Sequence, residues 1–184
     1  MKKIALPLTE KTIETLKSGD SLLFSGVLYV ARDAAHKRMV EALDKGKPLP
    51  FDIMGQTLYY MGPSPAPPGK IIGSAGPTTA SRMDPYTPRL LAAGLRGMIG
   101  KGIRSQSVKD ATKKYKAVYM AAVGGVGALL SRAIIKSEVV AYPELGPETI
   151  LKLEVKDFPV TVINDIHGGD LYVEGKGKYR IPDG

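Results

Sequence analysis

The chain has 184 residues, with 26 Lys and Arg against 18 Asp and Glu, two His and no Cys, giving a net charge of +8. That length suits one domain able to close a core, and 43% hydrophobic with 24% charged residues is the balance of a soluble globular protein. The lack of Cys excludes disulfides, thiolate metal ligation, a Cys nucleophile and an iron–sulfur cluster held by this chain, and no run approaches the roughly 18 apolar residues of a membrane span.

Met1-Lys2-Lys3 starts like a signal n-region, but Ile4–Leu8 is too short for its apolar stretch, so no targeting segment and a cytoplasmic location are expected. Lys2–Leu6 is apolar enough for an opening strand. Thr9 is placed to cap a helix to about Lys17, which Gly19-Asp20 ends. Ser21–Val30, rich in Leu, Val, Phe and Tyr, reads as a buried strand. Asp33 is expected as the N-cap of a helix to about Asp44, with Ala35, Met39, Val40 and Leu43 as its apolar stripe and Lys45-Gly46 closing it. Thr57–Met61 reads as a strand and the Pro-rich Gly62–Gly69 as an extended loop. Lys70–Ser74 is expected as a strand, and Ala75–Thr79 leads into a helix interrupted by Pro85 and Pro88. Gly97–Gly100 is a short strand, Lys101–Ser105 a loop, Gln106–Tyr115 a helix and Ala117–Val123 a strand. Gly124-Gly125-Val126-Gly127 opens a short helix over Ala128–Arg132. Ser137–Tyr142, Ile150–Val155 and Val160–Asn164 are strands, and the tail after His167 is polar and Gly-rich. A βα-alternating middle before a β-rich end predicts an α/β class. The expected architecture is one domain over residues 1–184, with a mixed sheet and helices against it.

The charge is local. Arg96 to Lys116 holds seven Lys or Arg and one acid, Asp110, so six of the eight excess charges lie there. Lys109 and Lys113 share a helix face, which favours solvated surface over function. A basic stretch can bind nucleic acid, but Tyr115 is its only aromatic and no nucleic-acid-binding signature is present; no nucleic-acid partner is expected.

Three turns at predicted strand ends each carry a cation. In Arg32-Asp33-Ala34-Ala35-His36-Lys37-Arg38 a strand becomes a helix, whose N-terminus favours an anion that Arg32 can clamp with its fork of donors. The plain alternative is that Asp33 caps, Arg32 pairs with it, and His36 packs. In Gly73-Ser74-Ala75-Gly76-Pro77-Thr78-Thr79-Ala80-Ser81-Arg82-Met83-Asp84, Gly lets backbone approach a ligand and Thr78 or Thr79 can cap a helix that places Arg82 one turn on. Here the alternative is a cap and a surface Arg. In Gly100-Lys101-Gly102-Ile103-Arg104-Ser105-Gln106 a Lys between two Gly can reach into a site. Gly124-Gly125-Val126-Gly127 lacks G-x-G-x-x-G spacing and is no dinucleotide loop. If those strands are neighbours, Arg32, Arg82 and Lys101 converge on a small polyanion, and two carboxylates would suit three cations.

These segments resemble a known family. Arg32-Asp33-Ala34-Ala35-His36-Lys37-Arg38, Gly76-Pro77-Thr78-Thr79-Ala80 with Arg82-Met83-Asp84, Lys101-Gly102-Ile103-Arg104-Ser105-Gln106, Gly124-Gly125 and Tyr142-Pro143-Glu144-Leu145-Gly146 are similar to the β subunit, or C-terminal domain, of class I fumarate hydratases. The wider group is the iron–sulfur hydro-lyases of fumarate and tartrate. Ser81 and Ile103 depart from the Gly and Asn common in the family, and neither is a motif cation. The resemblance implies a swivelling β/β/α fold and a Cys-containing α subunit that holds a [4Fe–4S] cluster with one iron open to substrate. It implies a hetero-oligomer with the active site between the two parts and no metal bound by this chain. It also implies that Arg32, Arg82 and Lys101 bind the dicarboxylate and that Thr78 takes part in proton transfer. Asp33, His36, Thr79 and Arg104 would stand around them in support.

The implied reaction is reversible hydration of fumarate to (S)-malate. Loss of the proton α to a carboxylate builds a second negative charge there, and fixed cations lower that barrier. The open iron would act as a Lewis acid. Thr78 is a poor base at its ordinary pKa and would need a partner group. Tartrate dehydratase is the alternative within the family, and a non-catalytic partner subunit the alternative outside it. In either enzyme the chain alone is expected to be inactive.

Overall fold

The computed structural model describes residues 1–122 and 127–179. In chain order its strands are β1 (Lys2–Ala5), β2 (Ser21–Val30), β3 (Thr57–Tyr59), β4 (Met61–Pro63), β5 (Ala75–Pro77), β6 (Gly97–Gly100), β7 (Val118–Ala121), β8 (Ile134–Ala141) and β9 (Ile150–Asn164). The α-helices are α1 (Glu10–Glu14), α2 (Asp33–Asp44), α3 (Thr87–Ala92), α4 (Gln106–Lys114), α5 (Gly127–Leu130) and α6 (Leu171–Tyr179). Among the described residues no helix is long and apolar enough to cross a membrane.

Seven strands form one mixed sheet in the order β1-β2-β3-β6-β7-β9-β8, and β2 also pairs with β9. Strands β2, β3, β6 and β7 run parallel, while β9 runs antiparallel to β2 and β7. The β2–β9 pairing therefore closes β2, β3, β6, β7 and β9 into a ring, with β1 and β8 as flanks.

Strand periodicity sorts side chains between the two faces of that ring. Leu22, Phe24, Leu28 and Val30 of β2 join Tyr59, Ile99, Val118, Met120, Val160 and Val162 in one core. Their alternates Leu58, Met98, Tyr119 and Ile163 join Ala35 and Met39 of α2, Leu90 and Leu91 of α3 and Ala111 of α4 in a second. Strands covered on both faces carry apolar residues at successive positions, which is why β6 and β7 read as unbroken runs. Gly26 makes the bulge in β2: its φ is +124°, and a Cβ there would lie 2.8 Å from the carbonyl oxygen of Leu6.

Several boundaries differ from expectation. The predicted Thr57–Met61 strand breaks at Tyr60, and Gly62-Pro63, expected in a loop, pairs with Ala75-Gly76. Lys70–Ser74 is not a strand; pairing begins at Ala75, because Met61–Pro63 finds its partners there. Ile150–Val155 and Val160–Asn164 are one strand, turned at Asp157 with φ 51° rather than broken by it. The tail forms α6, against β9. Gly124-Gly125 lies outside the described residues.

Candidate active site

Because β2, β3, β6 and β7 are parallel, their C-terminal ends share one edge, the edge where α/β folds gather ligand contacts. Arg32 follows β2, Tyr60 follows β3 and Lys101 follows β6. The antiparallel β4–β5 excursion returns Thr78 to the same edge. Its N–H donates to the Tyr60 carbonyl at 2.7 Å, and its Oγ1 donates to the same carbonyl at 2.9 Å. The hydroxyl proton is thus spent on backbone, and the Oγ1 lone pairs are left to accept from a ligand.

Lys101 joins this edge through main chain. Its N–H donates to the Thr78 carbonyl at 3.1 Å, and its own carbonyl accepts from Ala80 N–H at 2.8 Å, so Thr79 and Lys101 form a parallel bridge. Gly62 lies against both Thr78 and Arg32. A Cβ there would lie 3.1 Å from Thr78 Cγ2 and 3.9 Å from Arg32 Nη1.

Arg82 does not sit on the first turn of a helix capped by Thr78 or Thr79, as expected. Ala80–Met83 is a 3-10 turn with Thr79 at its N-cap position but no side-chain cap, and Thr78 Oγ1 is committed to the Tyr60 carbonyl. Half-exposed Arg82 forms an ion pair with Asp33. Asp33 is not the N-cap of α2 either. Arg32 occupies that position with no side-chain cap, and the Ala34 N–H is taken by Glu148 Oε2 at 2.7 Å. The other oxygen of Glu148 lies 3.7 Å from Arg32 Nη2, so Arg32 pairs with Glu148 and not with Asp33. Arg32 Nε is buried with no hydrogen-bond partner among the described residues.

Behind this edge lies a buried polar layer. His36 is fully buried, and its Nδ1 donates to the Arg32 carbonyl at 2.8 Å, which fixes the tautomer. Burial pushes the His36 pKa down to about 4, against the raising effect of that hydrogen bond, so the ring is neutral at pH 7. Arg104 does not face the edge. It is 2% exposed, with Nε donating to Asp84 Oδ1 at 2.7 Å and Nη2 to Thr87 Oγ1 at 2.8 Å. Its guanidinium lies over the rings of Tyr60 and Tyr119. Burial opposes its charge, but Tyr60 and Asp84 outweigh that and raise its pKa. Asp84 also accepts from Ser105 N–H at 2.7 Å, and Tyr119 Oη donates to the Gly102 carbonyl at 2.8 Å. Both bonds hold the loop that carries Lys101.

The structure thus gathers Arg32, Thr78 and Lys101 on one edge, ties Arg82 to the start of α2 through Asp33, and sets His36 and Arg104 beneath. In the rest of the basic stretch Lys113, Lys114 and Lys116 are exposed, as expected of a solvated face, and Lys109 is half-buried. Lys109 pairs with Asp170 at 2.6 Å, and Lys116 reaches Glu10 and Glu14 at 3.0 and 3.2 Å. Glu148, Gly62 and Asp84 were not singled out from sequence. Glu148 carried no signal beyond an acid in a Pro/Gly turn, since its partners are more than a hundred residues away.

Residues 1–175 match the family described as Fumarase C-terminus. The chain is 43% identical over 174 residues to the aerobic class I fumarate hydratase of Escherichia coli K12, covering 94% of this chain and 31% of that protein. It is 42% identical over 156 residues to fumarate hydratase 2 of Leishmania major, covering 84% of this chain and 28% of that protein. The chain therefore spans about a third or less of those relatives. A protein of Methanocaldococcus jannaschii named as an L(+)-tartrate dehydratase subunit beta is 35% identical over 173 residues, covering 91% of this chain and 89% of that one.

Proposed function

The chain belongs to the Fumarase C-terminus family, and from that premise we propose that it is the β subunit of a two-component fumarate hydratase, supplying the carboxylate-binding half of a shared active site. The observation that carries this reading is the convergence of Arg32, Thr78 and Lys101 on one sheet edge, with Arg82 tied in through Asp33. Those cations would bind the two carboxylates of fumarate or malate. They would also stabilise the extra charge that grows on one carboxylate as its α proton leaves. Thr78 Oγ1, whose own proton points to the Tyr60 carbonyl, would accept a hydrogen bond from substrate; for it to take the α proton, a partner group would first have to accept the hydroxyl proton.

The [4Fe–4S] cluster is assigned to a Cys-containing α subunit. The sequence has no Cys, and the protonated Arg and Lys side chains of the edge cannot ligate iron, so this chain offers the cluster no ligands there. The fold is read as the swivelling β/β/α type, with the site edge turned to that partner.

Tartrate dehydratase is the second reading. It is favoured by one observation: the relative matched over 89% of its own length bears that name. Absorbance assays of the anaerobically reconstituted complex on fumarate, malate and tartrate separate the two. Turnover of fumarate and malate above tartrate supports the first reading, and the reverse order supports the second.

A further inference from the structure

The segment Tyr142-Pro143-Glu144-Leu145-Gly146, one of those that carry the family resemblance, takes no part in the site as described so far. It forms the start of a short 3-10 stretch, Pro143–Glu148, that packs against α2. Three contacts fasten it. Arg38 of α2 forms an ion pair with Glu144, the same guanidinium lies 5.0 Å from the ring centroid of Tyr142, and Thr149 Oγ1 donates to the Tyr142 carbonyl at 3.2 Å. Tyr142 holds a left-handed backbone, φ 57°, which an aromatic residue keeps only when its surroundings enforce it. The end of this fastened segment delivers Glu148.

The two oxygens of Glu148 do different work. Oε2 takes the Ala34 N–H at the start of α2, while Oε1 faces Arg32 Nη2. A carboxylate serving only as a helix cap would need the first contact alone. Arg32 Nη1 lies on the side of Gly62 and Thr78, and Glu148 is the only side chain among the described residues that pairs with the Arg32 guanidinium.

We propose that Glu148 is a positioning residue: anchored on the N-terminus of α2, it holds one edge of the Arg32 guanidinium so that the other edge is presented to Thr78. This rests on the hydro-lyase reading of the site. Arg82 and Lys101 remain to bind dicarboxylate when Glu148 is changed, so the loss falls on kcat more than on KM.

The test is a double-mutant cycle in the reconstituted complex with Glu148→Gln, Arg32→Met and the pair. Glu148→Gln is expected to lower kcat about 10- to 100-fold with KM changed less than about threefold, the scale of a misplaced catalytic group. The double variant is expected to match Arg32→Met, because Glu148 acts through Arg32. Normal kcat in Glu148→Gln, or full additivity in the pair, overturns the proposal. A second measurement needs no activity. In the chain alone, the Arg32 Nε–Hε resonance, assigned by its loss in Arg32→Met, is expected to exchange with water at least about tenfold faster in Glu148→Gln, since Nε is buried in the wild type. Unchanged exchange also overturns the proposal. An inactive wild-type complex would instead count against the hydro-lyase reading, and the exchange result would still decide the role of Glu148.

Discussion

Lys101 and Thr78 are joined through their backbones: the Lys101 N–H donates to the Thr78 carbonyl oxygen at 3.1 Å. The main chains of a lysine that follows β6 and a threonine that follows β5 are thereby held in one fixed relation, which sets where the Lys101 side chain starts. Such preorganisation makes fixed charge effective, because little reorganisation is left for the moment of reaction.

In a complex with the proposed α subunit, Arg82→Lys and Lys101→Met are each expected to lower kcat/KM by about a hundredfold or more, the scale seen when one charge-stabilising donor is removed. Arg82→Lys keeps the charge but loses the planar fork that matches a carboxylate. Steady-state kinetics on fumarate and malate check this, and near-normal values for both variants would sink the assignment.

Gly62→Val is expected to separate function from stability. A Cβ at this position already lies 3.1 Å from Thr78 Cγ2, and the added methyls would push Thr78 away from Arg32. Activity of the complex should fall about tenfold or more, from misplacement alone, while the melting temperature of the chain changes little. Full activity in Gly62→Val would show that this close approach has no bearing on the reaction.

Arg104→Met is expected to unfold the loop that carries Lys101 before the rest of the chain. It leaves Asp84 and Thr87 without their buried partner. Breaking a buried pair by removing one member costs about 3–5 kcal/mol. At about 2–4 °C per kcal/mol for a chain of this size, the melting temperature should drop by about 6–20 °C. Scanning calorimetry measures this, and a drop below about 2 °C would mean that the pair adds nothing net.

His36 makes stability depend on pH. Its folded pKa of about 4 lies below the ordinary 6.5, so the unfolded state binds more protons between those values. The contribution of a neutral His36 is complete above about pH 6.5 and is lost as pH falls toward about 4, with a slope of up to about 1.4 kcal/mol per pH unit. His36→Phe keeps a ring against Tyr60 but leaves the Arg32 carbonyl without its Nδ1 donor. The variant should be less stable at neutral pH and lose that slope. Urea midpoints across the window decide it, and parallel curves for the two proteins would rule out His36 as the source.

Arg32 and Lys101 were legible because each follows an apolar run, Arg32 where a strand gives way to a helix and Lys101 between two Gly. The helix expected over Gln106–Tyr115 is α4, and Ser105, read as the end of a loop, caps it by accepting from Val108 N–H. What pairs with those cations was not legible. Asp33 looked like the cap of α2 because it stands at the right place in the chain, yet an acid 114 residues further on takes the Ala34 N–H. Local pattern says that a helix end needs an acceptor, but it does not say which distant segment provides it. Closure of the sheet escaped for the same reason. β2 read as a buried strand and β9 as two separate strands, and the β2–β9 pairing is a long-range contact that leaves no periodic trace in either.

The most direct measurement is fumarate hydration by this chain alone and by the same chain co-expressed with the proposed Cys-containing α subunit and reconstituted anaerobically. The expected result is no turnover by the chain alone and turnover by the complex that Arg82→Lys and Lys101→Met remove. Hydratase activity in the isolated chain, or a loaded complex inactive on fumarate, malate and tartrate alike, would contradict the assignment of this chain as the carboxylate-binding half of a shared hydro-lyase site.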